Sequence, residues 1–230
     1  APALGLGAGS SGRPLQEWVA DNLGQTRPVM KDPASQFGLV HRLDRDTSGA
    51  LVCGSSYRGY YMAQLQFTVR RVLKGYISLC HGALPQEIVW LDEPLGFALR
   101  ADGLWRSKAE PAGRRALTEV RAVGHLSGPE AAEAFSLVRL RLHTGRQHQI
   151  RAHLATRGHP LCADELYGGS ESSWCSRTFL HAERLALDAG TGPIDLEIGL
   201  PRDLWLALAM LVPRDRCSRA LAHRLLMLRQ

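Results

Sequence analysis

Several features that would assign this chain to a well-marked class are missing from its 230 residues. The five cysteines never form a C-x-x-C pair, so neither a zinc ribbon nor a disulfide framework is indicated, and a reducing, intracellular setting fits best. The longest apolar run, Leu204 to Val212, is far shorter than the roughly 20 residues that a membrane-spanning helix needs. We find no internal repeat and no long low-complexity tract. We therefore expect an intracellular, cytoplasmic protein with no membrane partner, an organelle being the alternative.

Acidic residues are in the minority, with 22 Asp and Glu against 28 Lys and Arg, a net charge of +6. This balance favours a polyanionic partner such as nucleic acid. The apolar fraction of 45% is ordinary for a protein with a packed core. Residues 1–14, rich in glycine and small side chains, do not form an intact signal peptide and are interpreted as a flexible leader or a truncated edge. The main domain is predicted over 15–212, followed by a C-terminal helical extension over 213–230.

The hydrophobic pattern predicts helices and strands in mixed order. Helical spacing is found in 15–23, in a segment after Ser55-Ser56 whose tyrosines are expected in the core, and in 147–157, 201–212 and 220–228. Strands are predicted at 50–53, 74–82, 87–91, 116–123, 135–142 and 178–187, with 92–133 otherwise loop. Because no regular βαβ spacing occurs, we expect an α+β fold with a largely antiparallel sheet.

Gly38 to Gly49 is a polar loop between two apolar segments, and it contains Asp44 between Arg42 and Arg45. Positive charge on both sides favours an ionised carboxylate. Such a carboxylate can act as nucleophile, base or metal ligand. A solvated turn with local ion pairs is the competing interpretation when the stretch is considered alone.

A second cluster lies between Arg139 and His159, where no acidic residue interrupts nine basic or imidazole side chains. The turn Thr144 to Gln147 opens a helix, whose free N–H groups and dipole favour an anion. This predicts a phosphate-binding surface, with a solvated basic face as the alternative. His148 and His153 are five residues apart and do not have the i, i+4 spacing of a helical metal pair, so a metal site is the weakest hypothesis.

These stretches resemble the RluA-like RNA pseudouridine synthases. The sequence from His41 to Gly49 is similar to the HRLDxxTSG signature of that family, and Thr144 to Leu154 is similar to its TGRxHQIRxHL motif. Lys74-Gly75-Tyr76 stands at the K-x-Y strand, Gly158-His159-Pro160 with Asp164 to Gly168 matches GHP…GDxLYG, and Leu180-His181-Ala182 matches LHA. The resemblance implies the pseudouridine synthase fold, a mixed, mostly antiparallel sheet around a central catalytic cleft.

The resemblance also implies roles for individual residues. Asp44 corresponds to the catalytic aspartate, Tyr76 to the tyrosine that stacks on uracil, and Arg151 to the basic residue paired with the aspartate. Arg42 corresponds to the arginine that helps open the RNA duplex, and Ile150 to an apolar wall. The other residues expected to bind RNA are Arg146, His148, Arg139 and Arg141.

The activity implied is the isomerisation of uridine in RNA to pseudouridine by a monomer that needs no cofactor and no metal. A catalytically inactive RNA-binding relative of the same fold is the alternative. Within the first motif, we assign Asp46 to the scaffold of the loop rather than to the chemical step.

Overall fold

An eight-stranded sheet forms the centre of the fold in the computed structural model, which describes residues 13–99, 103, 105–129, 133–170, 172–190 and 192–228. The helices described are α1 (Leu15–Leu23), α2 (Tyr57–Thr68), α3 (Gln149–Thr156), α4 (Arg202–Ala209) and α5 (Arg216–Met227). The strands are β1 (Ser48–Gly49), β2 (Leu73–His81), β3 (Trp90–Leu91), β4 (Leu95–Leu99), β5 (Trp105–Ala109), β6 (Thr118–Ser127), β7 (Ala134–Leu142), β8 (Leu180–Asp188), β9 (Pro193–Glu197) and β10 (Val212–Pro213).

The strand order is β1-β8-β2-β7-β6-β10, with β3 paired to β6 and β9 paired to β8. All of these pairs are antiparallel except β1 with β8, which is parallel. Strands β4 and β5 form a separate antiparallel hairpin. The predicted α+β class with a mostly antiparallel sheet is confirmed. None of the helices in the described ranges is long and apolar enough to cross a membrane.

Helices cover both faces of the sheet. On one face, here called the α3 face, Leu140 and Val138 of β7 pack with Ile150 and Leu154 of α3. On the other, the α4–α5 face, Ile77, Leu79, Phe135 and Leu137 pack with Leu204, Leu208, Ala222 and Leu225. Because α5 is part of this second core cluster, the segment after residue 213 packs directly on the sheet.

Three local expectations differ from the structure. Residues 50–53 form no strand beyond a bridge from Cys53 to Leu39. The hairpin of β4 and β5 lies where loops were predicted. In α2 only Tyr60 of the three tyrosines is buried, because Tyr60 and Ala63 face the protein whereas Tyr57 and Tyr61 face solvent. Residues 1–12 of the predicted leader lie outside the described residues.

Gly49 lets β1 lie against β8, and this contact fixes the end of the Asp44 loop. Gly49 has φ +127°, and a Cβ atom there would be 2.3 Å from the carbonyl oxygen of Ala182. We expect Gly49→Ala to lower the free energy of unfolding by about 2–3 kcal/mol, from backbone strain and overpacking. Urea unfolding measures it, and Gly145→Ala is the matched control, because a Cβ at Gly145 meets only the Lys74 amine at 3.5 Å. Equal stability of the two variants would contradict the close approach.

Candidate active site

The loop that carries Asp44 is fixed at its start by His41. The His41 imidazole accepts a hydrogen bond from the Val52 N–H at 3.0 Å and stacks on Phe67 with ring centroids 4.7 Å apart. Burial lowers the pKa of His41 to about 4, so the ring is neutral near pH 7 and accepts this bond. Thr47 N–H donates to the Asp44 carbonyl oxygen at 2.9 Å, which closes the turn.

Arg177 fixes the C-terminal end of the loop, at Asp46 and Ser48. Its guanidinium donates to the Asp46 carbonyl oxygen at 2.6 Å and to the Ser48 hydroxyl at 3.0 Å. The same buried group forms an ion pair with Asp203 of α4 at 2.6 Å. The part of Asp46 that serves the scaffold is therefore its main-chain carbonyl. The Asp46 carboxylate is partly exposed, with Arg45 at 3.6 Å.

Two groups from the start of α3 face the Asp44 carboxylate. The Arg151 Nη1 atom lies 3.7 Å from Asp44 Oδ2, and the His148 Nε2 atom lies 3.9 Å from Asp44 Oδ1. The Asp44 side chain is 19% exposed, so it is reachable from solvent but largely enclosed. Tyr76 on β2 is close enough that Asp44, after burial, contributes to raising the pKa of its phenol.

Arg151 has a stronger partner than Asp44. It forms two hydrogen bonds with the fully buried Asp164, Nε to Oδ2 at 2.8 Å and Nη2 to Oδ1 at 2.7 Å. Its guanidinium also lies over the Tyr167 ring, 5.0 Å from the centroid. Bidentate pairing holds a guanidinium in one orientation. Asp164 therefore orients Arg151 so that the remaining Nη1 faces Asp44.

Gln149 holds the turn that precedes α3. Its side-chain oxygen accepts from the Thr144 hydroxyl at 2.8 Å and from the Arg146 N–H at 2.9 Å. Its amide nitrogen donates to the Leu117 carbonyl at 3.1 Å and to the Thr118 hydroxyl at 3.0 Å. All the hydrogen-bonding capacity of this buried amide is used. The turn is thereby fixed to the start of β6, and His148 and Arg151, on either side of Gln149, face Asp44.

Lys74 lies on β2, two residues before Tyr76. Its amine donates to the Thr144 carbonyl oxygen at 3.2 Å. Burial, with a smaller contribution from Arg70, lowers the pKa of the Lys74 amine to about 8. This contact joins β2 to the turn before α3.

The arrangement is thus a carboxylate in a cleft, faced by a guanidinium and an imidazole, beside a partly buried tyrosine. A family model described as RNA pseudouridylate synthase matches residues 17–156. The chain belongs to this family. The resemblance predicted from the sequence motifs is thereby confirmed.

Relatives of this pseudouridylate synthase domain occur in several bacteria. An uncharacterized RNA pseudouridine synthase of Chloroflexus aurantiacus is 38% identical over 185 residues, 79% of this chain and 55% of the relative. Another, of Zymomonas mobilis, is 34% identical over 166 residues, 71% of this chain and 73% of the relative. The ribosomal large subunit pseudouridine synthase D of Zymomonas mobilis is 30% identical over 189 residues, 78% of this chain and 57% of the relative.

The structure of human RNA pseudouridylate synthase domain containing 1 is similar to this chain, with a TM-score of 0.71 and 25% identity. The match covers 92% of this chain and 84% of that one. The first curated relatives are longer proteins, and the chain spans about half of their length.

The residues expected to bind RNA are not all at this pseudouridylate synthase cleft. Arg42 is exposed at the loop, and Arg146 is partly exposed, with its Nε donating to the Arg115 carbonyl at 3.0 Å. Ile150 is buried in the core of the α3 face. His148 is only 13% exposed and faces Asp44, so it is part of the inner site rather than of an outer phosphate-binding surface.

Arg139 and Arg141 lie on the opposite side of the sheet, which corrects their assignment. Tyr76 pairs with Leu140, whereas Ile77 pairs with Arg139 and Gly75 with Arg141, so alternation directs the two arginines to the α4–α5 face. Arg139 is also neutralised there by Glu183 at 2.6 Å and Glu197 at 2.9 Å. We therefore leave both arginines out of the cleft.

The remaining histidines of the second cluster each have a protein partner. His153 contacts the Thr118 hydroxyl and the Glu93 carbonyl, His143 pairs with Glu119, and His159 contacts the His81 carbonyl. Among the residues that the structure describes, no three His, Cys, Asp or Glu side chains converge as metal ligands would.

Sequence reasoning missed Asp164, Arg177 and Tyr167 as parts of the site. Asp164 and Tyr167 lie in a matched motif but were given no role. Arg177 had no signal in the sequence, because its contacts with the Asp44 loop join residues more than 100 positions apart.

Proposed function

We propose that this protein is an RNA pseudouridine synthase that isomerises particular uridines, in rRNA, tRNA or other RNA, to pseudouridine with Asp44 as the reacting carboxylate. The observation that supports this most strongly is the position of Asp44. Its two oxygens lie 3.7 and 3.9 Å from Arg151 and His148, in a cleft that Tyr76 adjoins.

The proposed reaction is balanced without a co-reactant. The bond from C1′ of the ribose to N1 of uracil breaks, and a bond from C1′ to C5 forms after the base has turned. The hydrogen at C5 leaves as a proton, and N1 gains one. No electrons are gained or lost overall, so the protein has only to bind, turn and deprotonate.

Asp44 has three possible chemical tasks in this reaction: attack at C1′, attack at the base, or removal of a proton from the sugar. In each of them Arg151 holds the carboxylate in one place. The Tyr76 ring offers a stacking surface for uracil, and burial raises the pKa of its phenol, so the hydroxyl keeps its proton near pH 7. Ile150 contributes apolar packing beneath the site.

To reach the cleft, the target uridine must be flipped out of its stacked position in the RNA, and the lost stacking and pairing cost a few kcal/mol. We assign to Arg42, which is exposed two residues before Asp44, a contact with the RNA strand from which the uridine is extruded. Arg146, at the turn before α3, is the second candidate for a phosphate contact. These two replace the larger basic set expected from the sequence.

The test uses RNA that carries tritium at C5 of uracil, transcribed in vitro from genomic fragments of the source organism so that no uridine is modified beforehand. The protein should release tritium into water, and carbodiimide-dependent primer stops should map the product to defined uridines. Salt-sensitive RNA binding without tritium release would instead identify an inactive RNA-binding relative and overturn the proposal.

A further inference from the structure

His148 connects Asp44 to a buried tyrosine. Its Nε2 atom lies 3.9 Å from Asp44 Oδ1, and its Nδ1 atom lies 3.1 Å from the Tyr167 hydroxyl oxygen. The two rings meet edge to face, with centroids 5.7 Å apart. The scaffold thus holds the imidazole at Nδ1, and Nε2 faces the proposed reacting carboxylate.

The backbone fixes where this imidazole points. His148 has φ 50° and ψ 26°, a left-handed conformation, immediately before α3. Only a few per cent of residues other than glycine adopt positive φ, and Asn, Asp and His are enriched among them. The His148 ring is hydrogen bonded to Tyr167, and the side chain of the next residue, Gln149, is fully hydrogen bonded. These contacts together stabilise the left-handed conformation at His148.

The hydrogen bonds of Tyr167 determine which nitrogen of His148 carries the proton. The Ser107 N–H donates to the Tyr167 hydroxyl oxygen at 2.9 Å. Burial raises the pKa of Tyr167 to about 12, so the phenol keeps its hydrogen near pH 7. That hydrogen is available to the His148 Nδ1 atom, which then acts as the acceptor. A neutral imidazole that accepts at Nδ1 carries its hydrogen on Nε2.

Burial keeps the His148 ring neutral, because the charges that surround the ring balance. Asp44 and Asp164 contribute two negative charges, Arg151 and Arg42 contribute two positive ones, and Tyr167 is neutral. Burial is the largest effect and lowers the pKa of His148 below 6.5. Because the pKa is lowered, the ring is neutral at pH 7 and gains a proton only in more acidic solution.

We infer that His148 is a positioning residue for the proposed reaction: Tyr167 fixes its tautomer, and its Nε2–H orients one oxygen of Asp44 while Arg151 orients the other. This inference rests on the proposed function. With one donor facing each oxygen, the plane of the carboxylate is defined. Both distances exceed a hydrogen bond in the free protein, and such contacts often tighten only when substrate binds.

The tautomer can be read without any RNA. In protein labelled with ¹⁵N at histidine, long-range ¹H–¹⁵N spectra at pH 7 distinguish a hydrogen on Nε2 from one on Nδ1, and His148→Asn identifies the His148 signals. We expect the Nε2–H tautomer in the wild type and a mixture of both in Tyr167→Phe. An imidazolium or the Nδ1–H tautomer in the wild type would overturn the inference.

Kinetic variants test the action on Asp44. His148→Asn keeps a residue suited to positive φ but is too short to reach Asp44, and we expect single-turnover tritium release to fall about 100-fold, the effect of a hydrogen bond to a charged group. His148→Gln, one methylene longer, should restore the rate to within about 10-fold. RNA affinity should stay unchanged in both variants, because we assign the contacts with the RNA outside the cleft to Arg42 and Arg146 rather than to position 148.

Tyr167→Phe completes the test because it keeps the ring beneath Arg151 and removes only the hydroxyl. We expect it to slow wild-type release about 10-fold but to change His148→Gln less than about twofold, since a double-mutant cycle detects action through a shared partner. Additive losses would give Tyr167 a separate role and contradict the inference. A wild type that releases no tritium would instead refute the proposed function and leave the spectroscopic result standing.

Discussion

Asp44→Asn is expected to lower the rate of tritium release from C5-labelled RNA by about 10⁴-fold, the size of effect seen when an essential catalytic carboxylate or base is removed. The amide has nearly the shape of the carboxylate but carries no negative charge. It can neither attack carbon nor take a proton, and Arg151 would then face a neutral group at 3.7 Å. Single-turnover release with excess protein measures the loss.

The chain contains a matched control two residues away. Asp46→Asn makes the same chemical change in the same loop, but the Asp46 carboxylate is partly exposed and its only described ion pair is with Arg45. The carbonyl that Arg177 holds is untouched by the substitution. We expect Asp46→Asn to stay within about twofold of the wild-type rate, because surface ion pairs contribute little. Equal losses in the two variants would mean that loop charge, rather than the Asp44 carboxylate, determines activity.

The sequence predicts best the helices and strands whose apolar residues follow a single period and lie on a single buried face. The helix predicted over 15–23 is α1, and the alternation of Val138, Leu140 and Leu142 is that of β7. In the α2 helix the prediction of buried tyrosines was right for Tyr60 and wrong for Tyr57 and Tyr61. Tyr57 and Tyr61 lie on one face of the helix, and Tyr60 and Ala63 lie on an adjacent face. Both faces carry apolar or aromatic residues at helical spacing, so the periodicity alone did not determine which face is buried.

The hairpin of β4 and β5 was missed for a different reason. Its side chains Phe97, Leu99 and Trp105 are exposed, so no alternation of buried and exposed positions marks the strands. The pairing of Leu99 with Trp105 depends on backbone hydrogen bonds between the two strands. Such pairing leaves little trace in a single sequence.

For the site, the motifs predicted Asp44, Tyr76 and Arg151 but not what holds them. Arg151 was expected to pair with Asp44, and its bidentate partner is Asp164. Burial explains the difference, because an arginine that loses most of its water needs a carboxylate with ideal geometry. Asp44 cannot be that partner and stay available for a substrate.

Asp164→Asn is accordingly expected to lower the free energy of unfolding by about 3–5 kcal/mol, the cost of leaving one charge of a buried pair without its partner. Arg151 would keep its charge with its guanidinium still enclosed, and Asp44 would be the nearest carboxylate left to it, at 3.7 Å. A tight pair between them would also withdraw Asp44 from the reaction. Urea unfolding followed by circular dichroism measures the stability, and tritium release measures the activity.

Asp195→Asn provides the control, because Arg184 holds Asp195 through two hydrogen bonds of 2.9 and 2.6 Å at the protein surface. The geometry is nearly that of the Arg151–Asp164 pair, but both side chains are more than 40% exposed. This variant should lose less than about 1 kcal/mol. If the two variants were equally stable, burial would not explain the contribution of the Arg151–Asp164 pair to stability, and the prediction would be wrong. A stable Arg151→Met/Asp164→Leu double variant without activity would separate the two roles, since apolar residues can replace a buried ion pair in the fold but cannot orient Asp44.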